Sequence, residues 1–248
     1  MNTGTIFVFG GRSKVSTLEN IWNTIEPRVG EATAESVAVN FLMCWNHDLA
    51  NMDMIVQAIE IYKPRVSIEL GTFEGLGAKQ IAIAMNKTEG GELYTFDAGK
   101  APITMGEPYG VTEKYLIDGH LVDWKNIDFE GWNDFGKVID KRNKILRELK
   151  NLNKVKVTFV EGLTWDTLPI WMPKIGVWDF LFQDSTHDLE EMIIEWELYE
   201  PYSKIGSLIV MDDIHLNFPQ KEYFMGKDNW KWFHTEIGHK QLWGERIR

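Results

Sequence analysis

The sequence predicts a doubly wound α/β fold, with a mostly parallel sheet covered by helices on both faces. Two observations carry that prediction. From residue 65 onward, short apolar strand-like runs alternate with helix-like segments, and each of the five runs closes on or beside an acid. A glycine turn of spacing G-x-x-x-G-x-G (Gly71, Gly75, Gly77) joins the first of these runs to the first helix that follows.

Taken in order, Thr5–Phe9 reads as a short strand ended by Gly10 and Gly11, and Ser16–Glu19 as a helix start. Glu31–Ile61 reads as helical with a break near Asn46–Asn51, and Pro64 ends that stretch and leads into the first strand, Arg65–Leu70. A helix over Gly77–Met85 follows the glycine turn, then a second strand, Glu92–Asp97. Residues 98–135 mix glycines, prolines and aromatics without periodicity, so they read as an insertion forming a cap or lid. Phe135–Leu149 has the pattern of a helix with a charged face, and Val155–Val160 alternates as a third strand. Trp178–Asp184 is the fourth strand, Leu189–Leu198 a helix, and Ser207–Asp213 the fifth strand. The organisation expected is an N-terminal, mostly helical extension over 1–51 and a second unit over 52–248 that carries the insertion.

Ligands of such sheets collect beyond the carboxyl ends of the strands. There the sequence places Glu69, Asp97, Asp184, Asp212 and Asp213. Three clustered carboxylates are costly unless a cation joins them, and an all-oxygen set suits a hard cation such as Mg²⁺. His187, three residues after Asp184, has the ordinary pKa of a general base. The bland alternative is a glycine turn with acids that only cap helices, and a histidine facing solvent.

The run Glu69-Leu70-Gly71-Thr72-Phe73-Glu74-Gly75 resembles the first motif of class I S-adenosylmethionine-dependent methyltransferases, which have a Rossmann-like sheet. The resemblance implies that Glu69, Gly71, Thr72 and Gly75 border the methionine part of the cofactor. It implies further that Asp97 binds the ribose hydroxyls and that Gly162 and Leu163 border the adenine. Asp184 with the pair Asp212-Asp213 is similar to the ligand set of the metal-dependent O-methyltransferases, of the catechol type and the sugar and macrolide tailoring type. That likeness implies metal binding by Asp184, Asp212 and Asp213, with Asp184 also beside the cofactor and His187 taking the proton from a hydroxyl. The implied cofactors are S-adenosyl-L-methionine and Mg²⁺ or another divalent cation. The implied acceptor is a small hydroxylated molecule: a sugar, a catechol or a natural-product vicinal diol. Glu74 is a departure from the motif, with solvent exposure its expected place. Tyr109, Trp124, Trp132, Trp230 and Trp232 are expected to shape the acceptor pocket or a lid, or else to pack a cap or an oligomer.

Bulk composition narrows the partners. The 248 residues carry a formal net charge of -11 with a pI near 5.1, which disfavours nucleic acid. Cys44 is the only cysteine, so neither an internal disulfide nor a thiolate metal cluster can form. There is no leader pattern and no apolar run of the ~20 residues a span needs, so a cytoplasmic protein without a membrane partner is expected. A homo-oligomer is compatible with the sequence. Two rival functions stay open: a metal-independent methyltransferase of the same fold, and a non-catalytic cofactor-binding module. The glycine order argues against a nicotinamide oxidoreductase.

Overall fold

The computed structural model describes residues 17–24, 47–98, 114–117, 120–123, 135–214, 219–235 and 241–248. The elements are α1 (Thr17–Thr24), α2 (His47–Tyr62), β1 (Val66–Leu70), α3 (Leu76–Lys87), β2 (Gly91–Asp97), β3 (Lys114–Ile117) and β4 (His120–Asp123). They continue as α4 (Phe135–Leu149), β5 (Val155–Glu161), α5 (Thr164–Ile175), β6 (Trp178–Gln183), α6 (Leu189–Tyr199), β7 (Ser203–Met211), α7 (Pro219–Met225), β8 (Trp230–His234) and β9 (Leu242–Arg246). The expected strand over 5–9, Cys44, and the aromatics Tyr109, Trp124 and Trp132 lie outside the described residues.

Seven strands form one sheet in the order β5-β2-β1-β6-β7-β9-β8. The first five are parallel neighbours, and β9 and β8 add an antiparallel edge. Within the insertion, β3 and β4 pair as a separate antiparallel ribbon. The chain winds outward from β1 through β2 to β5, then restarts at β6 on the other side of β1. The strand order therefore reverses between β1 and β6, the point where ligands of such sheets collect beyond the strand ends.

Alternation along the central strands builds a core on each face. Phe180, Phe182, Leu208 and Val210 point to the face covered by α1, α2, α3 and α4. Leu181, Ile209 and Met211 point to the face covered by α5 and α6. The short helix α1 joins the first core through Leu18 and Ile21, and its opening N–H groups at Thr17 and Leu18 donate to the Glu245 carboxylate.

Two features differ from the sequence reading. Helix α5 forms although Pro169 and Pro173 lie inside it. Its buried face (Leu168, Met172) supplies the packing that compensates for the missing N–H donors. Trp230 and Trp232 are not lid residues: both are buried on β8, stacked at 5.7 Å, with Trp196 5.3 Å from Trp230 and 5.9 Å from Trp232.

Candidate active site at the strand ends

The glycine turn is shaped by backbone collisions. Gly71 leaves β1 at φ 93°, and a Cβ there would overlap the backbone carbonyl of Asp184 at the end of β6. Only glycine lets these two strand ends close up at the switch point. Gly75, at φ 84°, opens α3 with Ile145 of α4 packed against it. Gly77 makes room for a carboxylate, since a Cβ would overlap Glu69 Oε1. The turn does not offer all its N–H groups to a ligand. Those of Gly71 and Thr72 donate to the Phe96 carbonyl, that of Phe73 to Asp97 Oδ2 at 2.7 Å, and that of Gly75 to the Thr72 carbonyl. The first turn of α3 is what remains for an anionic or polar ligand group.

Glu69, expected beside the cofactor, lies beneath the turn and supports it. It is 1% exposed, accepts a hydrogen bond from Thr95, and is linked through Thr95 to the buried Thr72 hydroxyl. Its Oε1 is buried without a hydrogen-bond partner. Burial pushes its pKa up to about 8, against the lowering effect of the Thr95 bond, and Asp184 and Asp97 add to the rise. The folded pKa thus exceeds the unfolded one. The resulting stability is complete below pH 4.5 and is lost progressively as pH rises to about 8. We expect the urea midpoint of wild type to fall over that range relative to Glu69→Gln. At ~1.4 kcal/mol per pKa unit the full difference is on the order of several kcal/mol. Parallel curves for the two proteins would refute the assignment.

Asp97 ends β2 with both oxygens engaged: Oδ2 by the Phe73 N–H, and Oδ1 by Arg142 at 2.6 Å. Arg142, on α4, is 3% exposed and lies 4.8 Å over the Phe159 ring. Glu74 is not solvated as expected: it is mostly buried and ion-paired with Lys141, next to Arg142. Helix α4 therefore straps the glycine turn with two adjacent cations and Ile145. Gly162, at φ 138°, donates its N–H to the Asp97 carbonyl at 2.8 Å, and Leu163 is the N-cap of α5.

Beyond β6 and β7 the other acids gather around His187. Its Nε2 lies 3.6 Å from Asp184 Oδ1 and 3.6 Å from Asp213 Oδ2. Burial lowers the imidazole pKa, but the bond to Asp184 and the charges of Asp213, Asp184 and Asp212 outweigh it and push it up to about 9. Asp213 adopts the left-handed φ of 54°, a strained choice for a non-glycine residue and common at functional sites. Asp212 is buried and takes a 2.7 Å bond from Gln241 Nε2. The structure thus brings Asp184, Asp213 and His187 together and turns one Asp212 oxygen toward Gln241. Among the described residues, no three His, Cys, Asp or Glu side chains stand close enough to share one metal ion. Arg142, Gln241 and Lys141 are participants that the sequence reading did not find.

A shallow polar hollow of about 540 Å³, lined by Arg65, Lys150, Lys154 and Lys156 among others, lies elsewhere, at the amino-terminal edge of β2 and β5. No described helix is long and apolar enough to cross a membrane.

A family model described as a methyltransferase domain matches residues 68–214, from β1 to just past β7. The chain belongs to that family. It is a class I, S-adenosylmethionine-dependent methyltransferase, with the expected Rossmann-like sheet. Solved structures share the fold of this methyltransferase at low identity. An O-methyltransferase of Bacillus cereus, in complex with S-adenosylhomocysteine, has a TM-score of 0.53 at 15% identity over 94% of this chain and 98% of that one. The O-methyltransferase TomG of Streptomyces achromogenes, involved in tomaymycin synthesis and solved with S-adenosylmethionine, has a TM-score of 0.52 at 14% identity over 94% and 97%. The Podospora anserina methyltransferase PaMTH1, bound to S-adenosylhomocysteine, has a TM-score of 0.52 at 12% identity over 80% and 79%. No curated protein sequence matches the methyltransferase.

Proposed function

We propose that the protein is a divalent-cation-dependent O-methyltransferase of a small hydroxylated molecule: a sugar, a catechol or a natural-product vicinal diol. The observation that carries this reading is the convergence of Asp184, Asp213 and His187 at the switch point, directly beside the glycine turn. The O-methyltransferases among the structural neighbours support the same reaction class.

The residues fit both absent groups by the chemistry of their donors. S-Adenosylmethionine carries a net positive charge and supplies an activated methyl group. The charges of Asp97 and Asp184 beside the turn suit such a ligand. The backbone of Gly71–Gly75 and the start of α3 would lie along its methionine part. Asp97 would accept from the ribose hydroxyls, and Gly162 and Leu163 would border the adenine. Asp184 and Asp213 would hold Mg²⁺, with water and the acceptor completing its shell, and the ion would supply Lewis acidity to a bound hydroxyl.

His187 is the proton acceptor in this reading. As the site stands its ring is charged at neutral pH and has no lone pair to offer. A cation held by Asp184 and Asp213 would balance the charges that raise the imidazole and bring the ring toward its ordinary pKa. His187 would then be able to take the hydroxyl proton on Nε2. The remaining work of the chain is to position the acceptor oxygen in line with the methyl group and to exclude water.

The test is methyl transfer to a panel of catechol, sugar diol and single-hydroxyl acceptors, measured in EDTA and after Mg²⁺ is restored. Transfer to a vicinal diol that stops in EDTA and returns with Mg²⁺ is expected. Undiminished turnover in EDTA would move the protein to the metal-independent class. Binding of S-adenosylhomocysteine with no transfer to any acceptor would favour the non-catalytic module.

A further inference from the structure

We propose that Glu195 is a positioning residue that holds two loops of the site in register: the start of α5 on the adenine side, and the Asp184–His187 segment on the reaction side. The inference rests on the proposed site.

Glu195 lies on α6 and is fully buried, with Met192, Trp196 and Tyr199 as buried neighbours on the same helix. A carboxylate in such surroundings is costly unless its oxygens are hydrogen-bonded. Here they are, and every donor comes from a loop or strand end of the site. Thr164, the first residue of α5, donates to Oε1. Gln183 Nε2, the last residue of β6, donates to Oε2 at 2.8 Å. Ser185 Oγ reaches Oε1 at 2.7 Å and Oε2 at 2.8 Å. Asp184 is therefore flanked on both sides by residues tied to one buried carboxylate.

One helical turn earlier, Glu191 accepts from Thr186 Oγ1 at 2.5 Å. The i, i+4 spacing puts both acids on the same face of α6, toward the loop. The side chains of Asp184 and His187 are more than a third exposed. Their aim therefore depends on the backbone beneath them. Buried polar groups can often be replaced by apolar ones with no loss of stability, so a network satisfied this fully points to specification of one loop conformation.

The test compares Glu195→Leu, Glu195→Gln, Ser185→Ala and Thr164→Val with wild type. Three readouts are used: hydrogen exchange of the 184–188 segment, calorimetric affinity for S-adenosylhomocysteine, and the split between kcat and KM. Ser185→Ala should speed exchange at 184–188 and lower kcat roughly tenfold, the scale of a small misplacement of reacting groups, with nucleoside affinity within about twofold. Thr164→Val should weaken S-adenosylhomocysteine roughly fivefold at near-normal kcat. Glu195→Leu should do both. Glu195→Gln, which keeps one acceptor oxygen, should recover much of each.

Wild-type exchange at 184–188 in folded Glu195→Leu and Ser185→Ala would overturn the proposal, as would faster exchange spread evenly over the whole sheet. If Glu195→Leu does not fold, Ser185→Ala and Thr164→Val decide. Failure of the wild type to bind S-adenosylhomocysteine would instead count against the proposed function, while the exchange result would still judge Glu195.

Discussion

Gly71→Ala is expected to leave little folded protein. Two costs combine at this residue. The backbone sits at φ 93°, which for a residue with a Cβ costs ~1–2 kcal/mol. The added methyl also meets the carbonyl of Asp184, which is main chain and cannot rotate away. Relief requires β1 and β6 to separate where the Asp184 N–H bonds to the Leu70 carbonyl at 2.8 Å. Against a typical domain stability of about 5–15 kcal/mol, the combined cost removes a large fraction. A urea titration should show the midpoint collapse or the transition lose cooperativity. Gly176→Ala is the control, because its Cβ would meet nothing within 4 Å although its φ of 73° is also left-handed. An unchanged midpoint for Gly71→Ala would show that the strand ends are not packed as described.

The second large effect is expected from Asp184→Asn, measured as turnover. The substitution keeps the shape of the side chain and removes one of the two charges that face His187 at 3.6 Å. It also removes a proposed ligand of the cation. Turnover should fall by roughly 10²-fold or more, the scale of a lost electrostatic or acid–base contribution. The melting temperature should stay close to that of wild type, since the side chain is 38% exposed. Asp213→Asn should behave alike, and asparagine tolerates the left-handed backbone of that position. Near-normal turnover in both variants, with the protein folded, would remove these carboxylates from the mechanism.

The central parallel strands β1, β6 and β7 could be read from the sequence for a physical reason. A strand buried on both faces is a continuous apolar run, and it ends where polar groups are useful, while β2 and β5 showed by alternation. Glu69, Asp97, Asp184 and Asp212 mark those ends. The C-terminal hairpin was hidden because β8 interleaves lysine and histidine with tryptophan and phenylalanine, a pattern that also suits an exposed lid. Helix α5 was hidden by Pro169 and Pro173, which local propensity counts as breaks and tertiary packing overrides.

Site residues were legible where they sit in a motif and illegible where they come from another element. Arg142 lies 45 residues from Asp97, and Gln241 lies 29 residues from Asp212. No local spacing signals such a pairing. Helix α4 did show a charged face, but nothing in the sequence said that Lys141 and Arg142 would lie against Glu74 and Asp97. Glu69 adds something the motif did not show: the fold buries it beneath the turn, where it accepts from Thr95.

The most direct measurement is a crystal structure grown with S-adenosylhomocysteine and Mg²⁺. The account predicts the nucleoside along the Gly71–Gly75 turn with its ribose at Asp97, and an ion bound by Asp184 and Asp213. It also predicts the His187 ring released from its bridge between those two carboxylates. A nucleoside bound at the turn without an ion, with His187 still bridging Asp184 and Asp213, would contradict the metal-dependent mechanism.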